Sequence, residues 1–178
     1  ALNAKTSVAV DATKVTAISG ALADVTAAII TPATKVTTAA NVAVTIKGEL
    51  TAANVTELEA IATATTGKVT ATIADTAFNL KAIDLEASTD AITIKVTNDY
   101  SLTGTAAADL KALDANTSVV VDAKAVTLIS GTAADVTDVT AVLSAKGIAK
   151  AANVAVEVTG GNISAYEANQ IAKLTTGS

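Results

Sequence analysis

The side chains able to do chemistry in this sequence are almost all carboxylates and lysines, because His, Cys, Met, Trp and Arg are absent from its 178 residues. That removes the commonest general base, the thiol nucleophile, the soft metal ligands and the fork-shaped phosphate binder. Among the carboxylates, Asp11 and Asp122 hold equivalent places at the ends of two short β-branched runs, Val8-Ala-Val10 and Val119-Val-Val121. They are the candidate cation ligands, with calcium as the hard ion that oxygen donors suit. The alternative is that each carboxylate accepts backbone N–H groups within a turn. Gly160-Gly161-Asn162 is a fragment of a calcium-binding nonapeptide, without the tandem partner or the Asp that such a loop needs. Glu57 and Glu59 lie two apart on an expected helix, and Asp84 and Glu86 have the same spacing, so neither pair shares a face as an acid and base would. The Ser and Thr residues have no His to activate them, and no Gly-rich phosphate loop is present. No enzymatic activity and no cofactor are expected.

Whatever these residues do, short elements must position them. Six runs alternate apolar with small or polar residues: Val8-Ala-Val10, Val42-Ala-Val-Thr-Ile46, Val69-Thr-Ala-Thr-Ile73, Ile92-Thr-Ile-Lys-Val96, Val119-Val-Val121 and Val154-Ala-Val-Glu-Val158. Period two with β-branched residues reads as strand. Between them the period becomes helical. Thr51 is placed to cap a helix whose Val55, Leu58, Ile61 and Ala62 share a face, and Thr132–Leu143 repeats the pattern with Val136, Val139, Val142, Leu143 and a favourable first-turn Asp135. Ala21–Ile30, Ala77–Leu85, Thr105–Leu113 and Ala165–Leu174 complete the helical series. Each coil is thus read as one strand plus one short helix. The longer coils are expected to add a second short strand at Val15–Gly20 and Val126–Gly131.

A longer period runs through the chain. The segment Thr6–Thr26 returns as Thr117–Thr137, with 15 of 21 positions identical. Ala39-Ala-Asn-Val-Ala-Val44 returns as Ala151-Ala-Asn-Val-Ala-Val156, and Thr65-Thr-Gly67 as Thr175-Thr-Gly177. The domain expectation is therefore one repeat array over 1–178, with a first copy at 1–111 and a partial second copy at 112–178. One strand and one helix cannot enclose a core alone, so the coils must stack. Parallel strands joined through helices favour right-handed crossovers. The expected fold is a right-handed α/β solenoid of about six strand-helix coils, with a parallel sheet on one side and short helices on the other. The 42 Ala residues suit that arrangement, since small side chains let helix approach sheet.

Composition narrows the partners. Net charge is −5, and the twelve cations, all Lys, are scattered, which argues against nucleic acid. No apolar run is long enough to span a bilayer. Without an initiating Met or signal-like segment, the chain is expected to be a processed product or part of something longer. The sequons at Asn54, Asn116 and Asn162 number about what chance would place among so many hydroxyl residues. Tyr100 and Tyr166 read as groove-covering residues, and Pro32 as a helix terminator.

If Val42, Val44 and Ile46 point inward, Ala43 and Thr45 point outward, as do Ala9 and Asp11, Thr70 and Thr72, Thr93 and Lys95, Val120 and Asp122, and Ala155 and Glu157. Such a face could pack laterally or bind glycan, mineral or ice. Only Thr70 and Thr72 form the Thr-x-Thr unit that ice binding would repeat.

The run Ile129-Ser-Gly-Thr-Ala-Ala-Asp-Val136, followed by a helix and Asn153-Val-Ala-Val156, resembles the repeats of giant bacterial cell-surface proteins, the cyanobacterial-type adhesin and surface-layer-like proteins. A more distant likeness is to leucine-rich repeats, without their Leu and Asn consensus. The first resemblance implies an extracellular, cell-surface structural segment whose partners are other copies of itself or neighbouring repeats. It carries no catalytic residues across. The expected function is a non-enzymatic surface-layer, filament or adhesin spacer acting by stacking and self-association; the alternative is a glycan-, mineral- or ice-binding module using the outward sheet face. A protein–protein scaffold would need aromatic hot spots, which three aromatic residues do not supply.

Overall fold

The computed structural model describes residues 8–30, 36–83, 90–97, 104–117, 120–137, 147–173 and 175–176. The chain is α/β, and every strand pairing resolved residue by residue is parallel. It divides into two compact units, one of Ala1–Ile73 with Ser88–Ile92, the other of Ala74–Ala87 with Thr93–Ser178.

Unit 1 contains β1 (Val10–Ala12), β2 (Ala17–Gly20), α1 (Leu22–Ile29), β3 (Val36–Thr38), β4 (Ala43–Leu50), a 3-10 turn (Ala52–Asn54) leading into α2 (Val55–Ala64), and most of β5 (Val69–Asp75). β1 pairs with β3, while β4 lies between β2 and β5. Val10 faces Val36 and Ala17 faces Ala43, so both pairs have the same separation along the chain. A β-bulge between Thr45 and Glu49 shifts the register along β4. Inward Val42, Val44 and Ile46 are buried, and exposed Thr45 alternates with them, as period two requires. From the helical side, Val25 of α1 and Leu58 and Ile61 of α2 are buried.

Unit 2 contains α3 (Ala77–Leu80), most of β6 (Ala91–Val96), β7 (Thr105–Ala106), α4 (Ala107–Ala115), β8 (Val121–Ala123), β9 (Leu128–Gly131), described helical residues 133–137 (α5), β10 (Ile148–Lys150), β11 (Ala155–Val158) and α6 (Ala165–Ala172). β8 pairs with β6 and β10, and β9 with β7 and β11. Val121 faces Ile148 and Leu128 faces Ala155, again at one shared separation, a single position longer than in unit 1. Ala107, at the start of α4, is fully buried, and a Cβ on Gly131 would lie 2.9 Å from its methyl group. Small residues on both sides therefore set how closely that helix meets β9.

The coils differ from the sequence reading in their strand content. Four of them hold two strands, the second following the first after the same short interval: β1 and β2, β3 and β4, β8 and β9, β10 and β11. The second strands expected at Val15–Gly20 and Val126–Gly131 are present as β2 and β9. β3, β7 and β10 were not expected, because such short strands carry too little periodicity to register. The expected strands Val8–Val10 and Val119–Val121 lie slightly later, at Val10–Ala12 and Val121–Ala123. Register against Val36–Thr38 and Ile148–Lys150 places them there.

Helix starts follow local chemistry. Asn54 Oδ1 accepts from the Thr51 amide and hydroxyl at 3.0 and 3.1 Å. Thr132 Oγ1 accepts from the Asp135 amide at 3.2 Å, and Ser164 exchanges bonds with Glu167 in a capping box. α3 is shorter than the expected Ala77–Leu85 segment. Its final turn is tied to α4, where Lys81 Nζ lies 2.7 Å from Asp109 Oδ1 and Asn116 Nδ2 donates to the Lys81 carbonyl at 2.8 Å. Asp84, Glu86, Tyr100, Pro32, Val139, Val142 and Leu143 lie outside the described residues.

Thr105 in β7 is 1% exposed, and its hydroxyl finds no hydrogen-bond partner among the described residues. A buried hydroxyl without a partner is destabilising, whereas a methyl of the same shape is not. Thr105→Val is expected to stabilise the chain by about 1 kcal/mol in urea unfolding; a loss of stability would show that the hydroxyl is satisfied in solution.

Candidate functional site

Asp11 occupies the middle of β1 and is exposed. Its Oδ1 accepts from the Thr13 hydroxyl at 2.6 Å and the Thr13 amide at 2.9 Å. Those bonds, the side-chain one first, hold its carboxyl below the usual carboxylate value. Asp122, in the middle of β8, accepts from the Lys124 amide at 3.1 Å. One residue belongs to unit 1 and the other to unit 2, and each bonds to its own turn. Among the described residues, no group of three or more His, Cys, Asp or Glu is placed to hold a metal ion. Gly160 and Gly161 both have positive φ, in a turn between β11 and α6 with open space around them. Tyr166 stands exposed on α6 rather than covering a groove.

The turns that these aspartates serve recur. Val15 N–H donates to the Ala12 carbonyl at 2.9 Å, Val42 to Ala39 at 3.3 Å, Val126 to Ala123 at 3.1 Å and Val154 to Ala151 at 3.5 Å. Each bond closes a four-residue turn that begins with Ala and ends with Val, and each turn joins the two strands of one coil. In the latter three, the closing Val is 1% exposed. The turn therefore sends the chain into its second strand with an apolar anchor already buried.

Two of these turns are gripped by the next pass of the chain. In unit 1, Thr65 Oγ1 reaches the Val42 carbonyl at 2.6 Å and the Ala40 carbonyl at 3.1 Å. Thr66 adds its amide at 2.8 Å and its hydroxyl at 3.3 Å to the Ala40 carbonyl. Thr65 Oγ1 in turn accepts from the Gly67 amide at 2.9 Å. Gly67 passes so close to the turn that a Cβ there would collide with the carbonyl oxygens of Asn41 and Val42. Unit 2 repeats the arrangement. Thr175 Oγ1 donates to Val154 and reaches Ala152 at 3.4 Å, while Thr176 gives the Ala152 carbonyl its amide at 2.9 Å and its hydroxyl at 3.1 Å.

This threonine clasp is the most specific constellation among the described residues. Sequence reading found both of its halves as repeated strings and did not join them. The available signal was that Ala-Ala-Asn-Val and Thr-Thr-Gly recur together in both copies, with nearly the same separation from Ala40 to Thr65 as from Ala152 to Thr175. The hydroxyls of the clasp are spent on backbone carbonyls, so its chemistry is that of satisfying turn carbonyls. Comparison with protein-family models, curated proteins and solved structures finds no match.

Two carboxylates elsewhere are shifted in opposite directions from the usual carboxylate value. Bonds from the Ser164 amide and then its hydroxyl hold the Glu167 carboxyl low, whereas burial alone pushes Asp114 up. A Cβ on Gly147 would overlap the Asp114 carboxylate, so backbone crowds that group.

Gly67→Ala is expected to cost about 1–3 kcal/mol through overpacking against backbone that cannot swing aside. Thr65→Val should cost about 1–3 kcal/mol, and exposed Thr66, which keeps its amide bond, distinctly less when changed to Val; equal losses at 65 and 66 in urea melts would contradict the clasp. Asp114→Asn should raise Tm at neutral pH, with the gain disappearing as acidification protonates the native Asp114. Glu167→Gln should lower Tm at neutral pH, with the deficit vanishing once pH falls through the depressed carboxyl of the native protein.

Proposed function

We propose that this chain is a structural, non-enzymatic repeat segment of an extracellular cell-surface protein, of the surface-layer, filament or adhesin-spacer kind. Each unit is a stretch of right-handed α/β solenoid, and the segment works by stacking and self-association with other copies or neighbouring repeats. The observation that carries this reading is the clasp built twice, on Ala40 and Val42 and again on Ala152 and Val154. A device that fastens one coil to the next, used in both units, suits a chain whose work is to extend a regular stack. Parallel register, with one offset shared by both strand pairs within each two-strand coil step, supports the same reading. No described helix is long and apolar enough to cross a membrane.

The rival binding module would need similar side chains aligned across successive coils. Ser19, Thr45 and Thr70 do form one such row across β2, β4 and β5. The row through β6, β8 and β10 reads Lys95, Asp122 and Ala149, so hydroxyls are not maintained there. A stacking role needs no such ladder and is the better fit.

Negative-stain microscopy with sedimentation of the purified chain tests the reading. The expected result is filaments or sheets that pellet, in calcium and in chelator alike. A compact monomer in both conditions would overturn self-association, and assembly lost only in chelator would return Asp11 and Asp122 to consideration as cation ligands.

A further inference from the structure

Resting on the stacking reading, we infer that the outer edge of β11 is an acceptor for one particular kind of strand, an extended segment of the Val69–Asp75 type. β11 is the last strand of its three-stranded sheet among the described residues. Its sequence counterpart is β4: Val42-Ala-Val44 and Val154-Ala-Val156 occupy the same place in the long repeat. Both strands meet their preceding neighbour alike. Ala43 donates to the Thr16 carbonyl at 3.0 Å, and Ala155 to the Thr127 carbonyl at 2.9 Å. The two edges differ on the far side. There β4 carries β5, with Val44 donating to the Lys68 carbonyl at 2.9 Å and Val44 facing Val69.

The device that delivers β5 to β4 is also present at β11. Thr65 and Thr66 grip the turn before β4, Gly67 passes over it, and β5 begins at Val69. Thr175 and Thr176 grip the turn before β11 through the same atoms. Gly177-Ser178 stands in sequence where Gly67-Lys68 stands. The clasp therefore aims a following strand at an edge that already has the right register. Amides alternate along a parallel strand, so with Ala155 and Thr159 bonded toward β9, those of Val156 and Val158 point to the acceptor side. The strand that fits is apolar on alternate positions, parallel to β11, and small where it crosses the turn. Val69, Ala71 and Ile73, all buried in β5, supply that pattern.

The test appends a second copy of Val69–Ile83 after Ser178 of the full chain and follows amide hydrogen exchange. Controls carry the same appendage with Thr70→Pro in the appended copy, or a Gly/Ser segment of equal length. The expected result is exchange at Val158 slowed about tenfold by the authentic appendage alone. Unchanged exchange at Val158 would overturn the inference, as would equal slowing by the proline-bearing appendage, which cannot supply the ladder amide. Sedimentation of the same samples separates this inference from the reading beneath it. Val158 protection in a chain that stays monomeric keeps the acceptor edge and removes self-association. Assembly without protection at Val158 removes the acceptor edge and keeps self-association.

Discussion

The carbonyl oxygens of the coil turns are the constraint around which this fold is arranged. A chain that runs through a short strand, turns within four residues and enters a second strand leaves turn carbonyls that no ladder can pair. Those of Ala40 and Val42 face the next pass of the chain and are met by Thr65 and Thr66. Thr is suited to this task because its hydroxyl serves as donor and acceptor at once. On Thr65 the same oxygen that donates to Val42 accepts from Gly67. Satisfying the turn thus fixes where the next strand begins, so hydrogen-bond accounting and coil register become one problem.

Packing follows from that register. With strands stacked at nearly constant offset, the inward positions of successive coils fall into rows, which is why Val44 and Val69, neighbours in one row, are both buried. The rows are narrow, and the helices that close them must come close to the strands. Ala107 against Gly131 shows how little space remains. Among the described residues the large aromatic side chains lie outside this interior; Phe78 and Tyr166 are exposed, and the Lys81 ammonium lies 4.1 Å from the centre of the Phe78 ring.

The aspartates make the local turn bonds that the sequence offered as one of their two roles. A carboxylate that accepts both the amide and hydroxyl of the residue two positions on has formed an Asx-type turn. Asp11 does this fully and Asp122 through the Lys124 amide. Their equivalent positions in the long repeat mark equivalent turns.

The α/β class, the long repeat, the cap at Thr51, and the strand runs Val69–Ile73 and Ile92–Val96 belong to the sequence itself, because periodicity and capping are local properties carried by adjacent residues. Val55, Leu58 and Ile61 likewise declare their buried face by spacing alone. The short strands β3 and β10 do not, since Val36-Thr-Thr38 and Ile148-Ala-Lys150 become strands only through partners one coil away, at Val10–Ala12 and Val121–Ala123. The clasp is the clearest division between the two levels. Sequence determined that Ala-Ala-Asn-Val and Thr-Thr-Gly would both recur; only tertiary structure decided that they meet, because a hydroxyl finds a carbonyl on a distant pass of the chain once the parallel strands have paired.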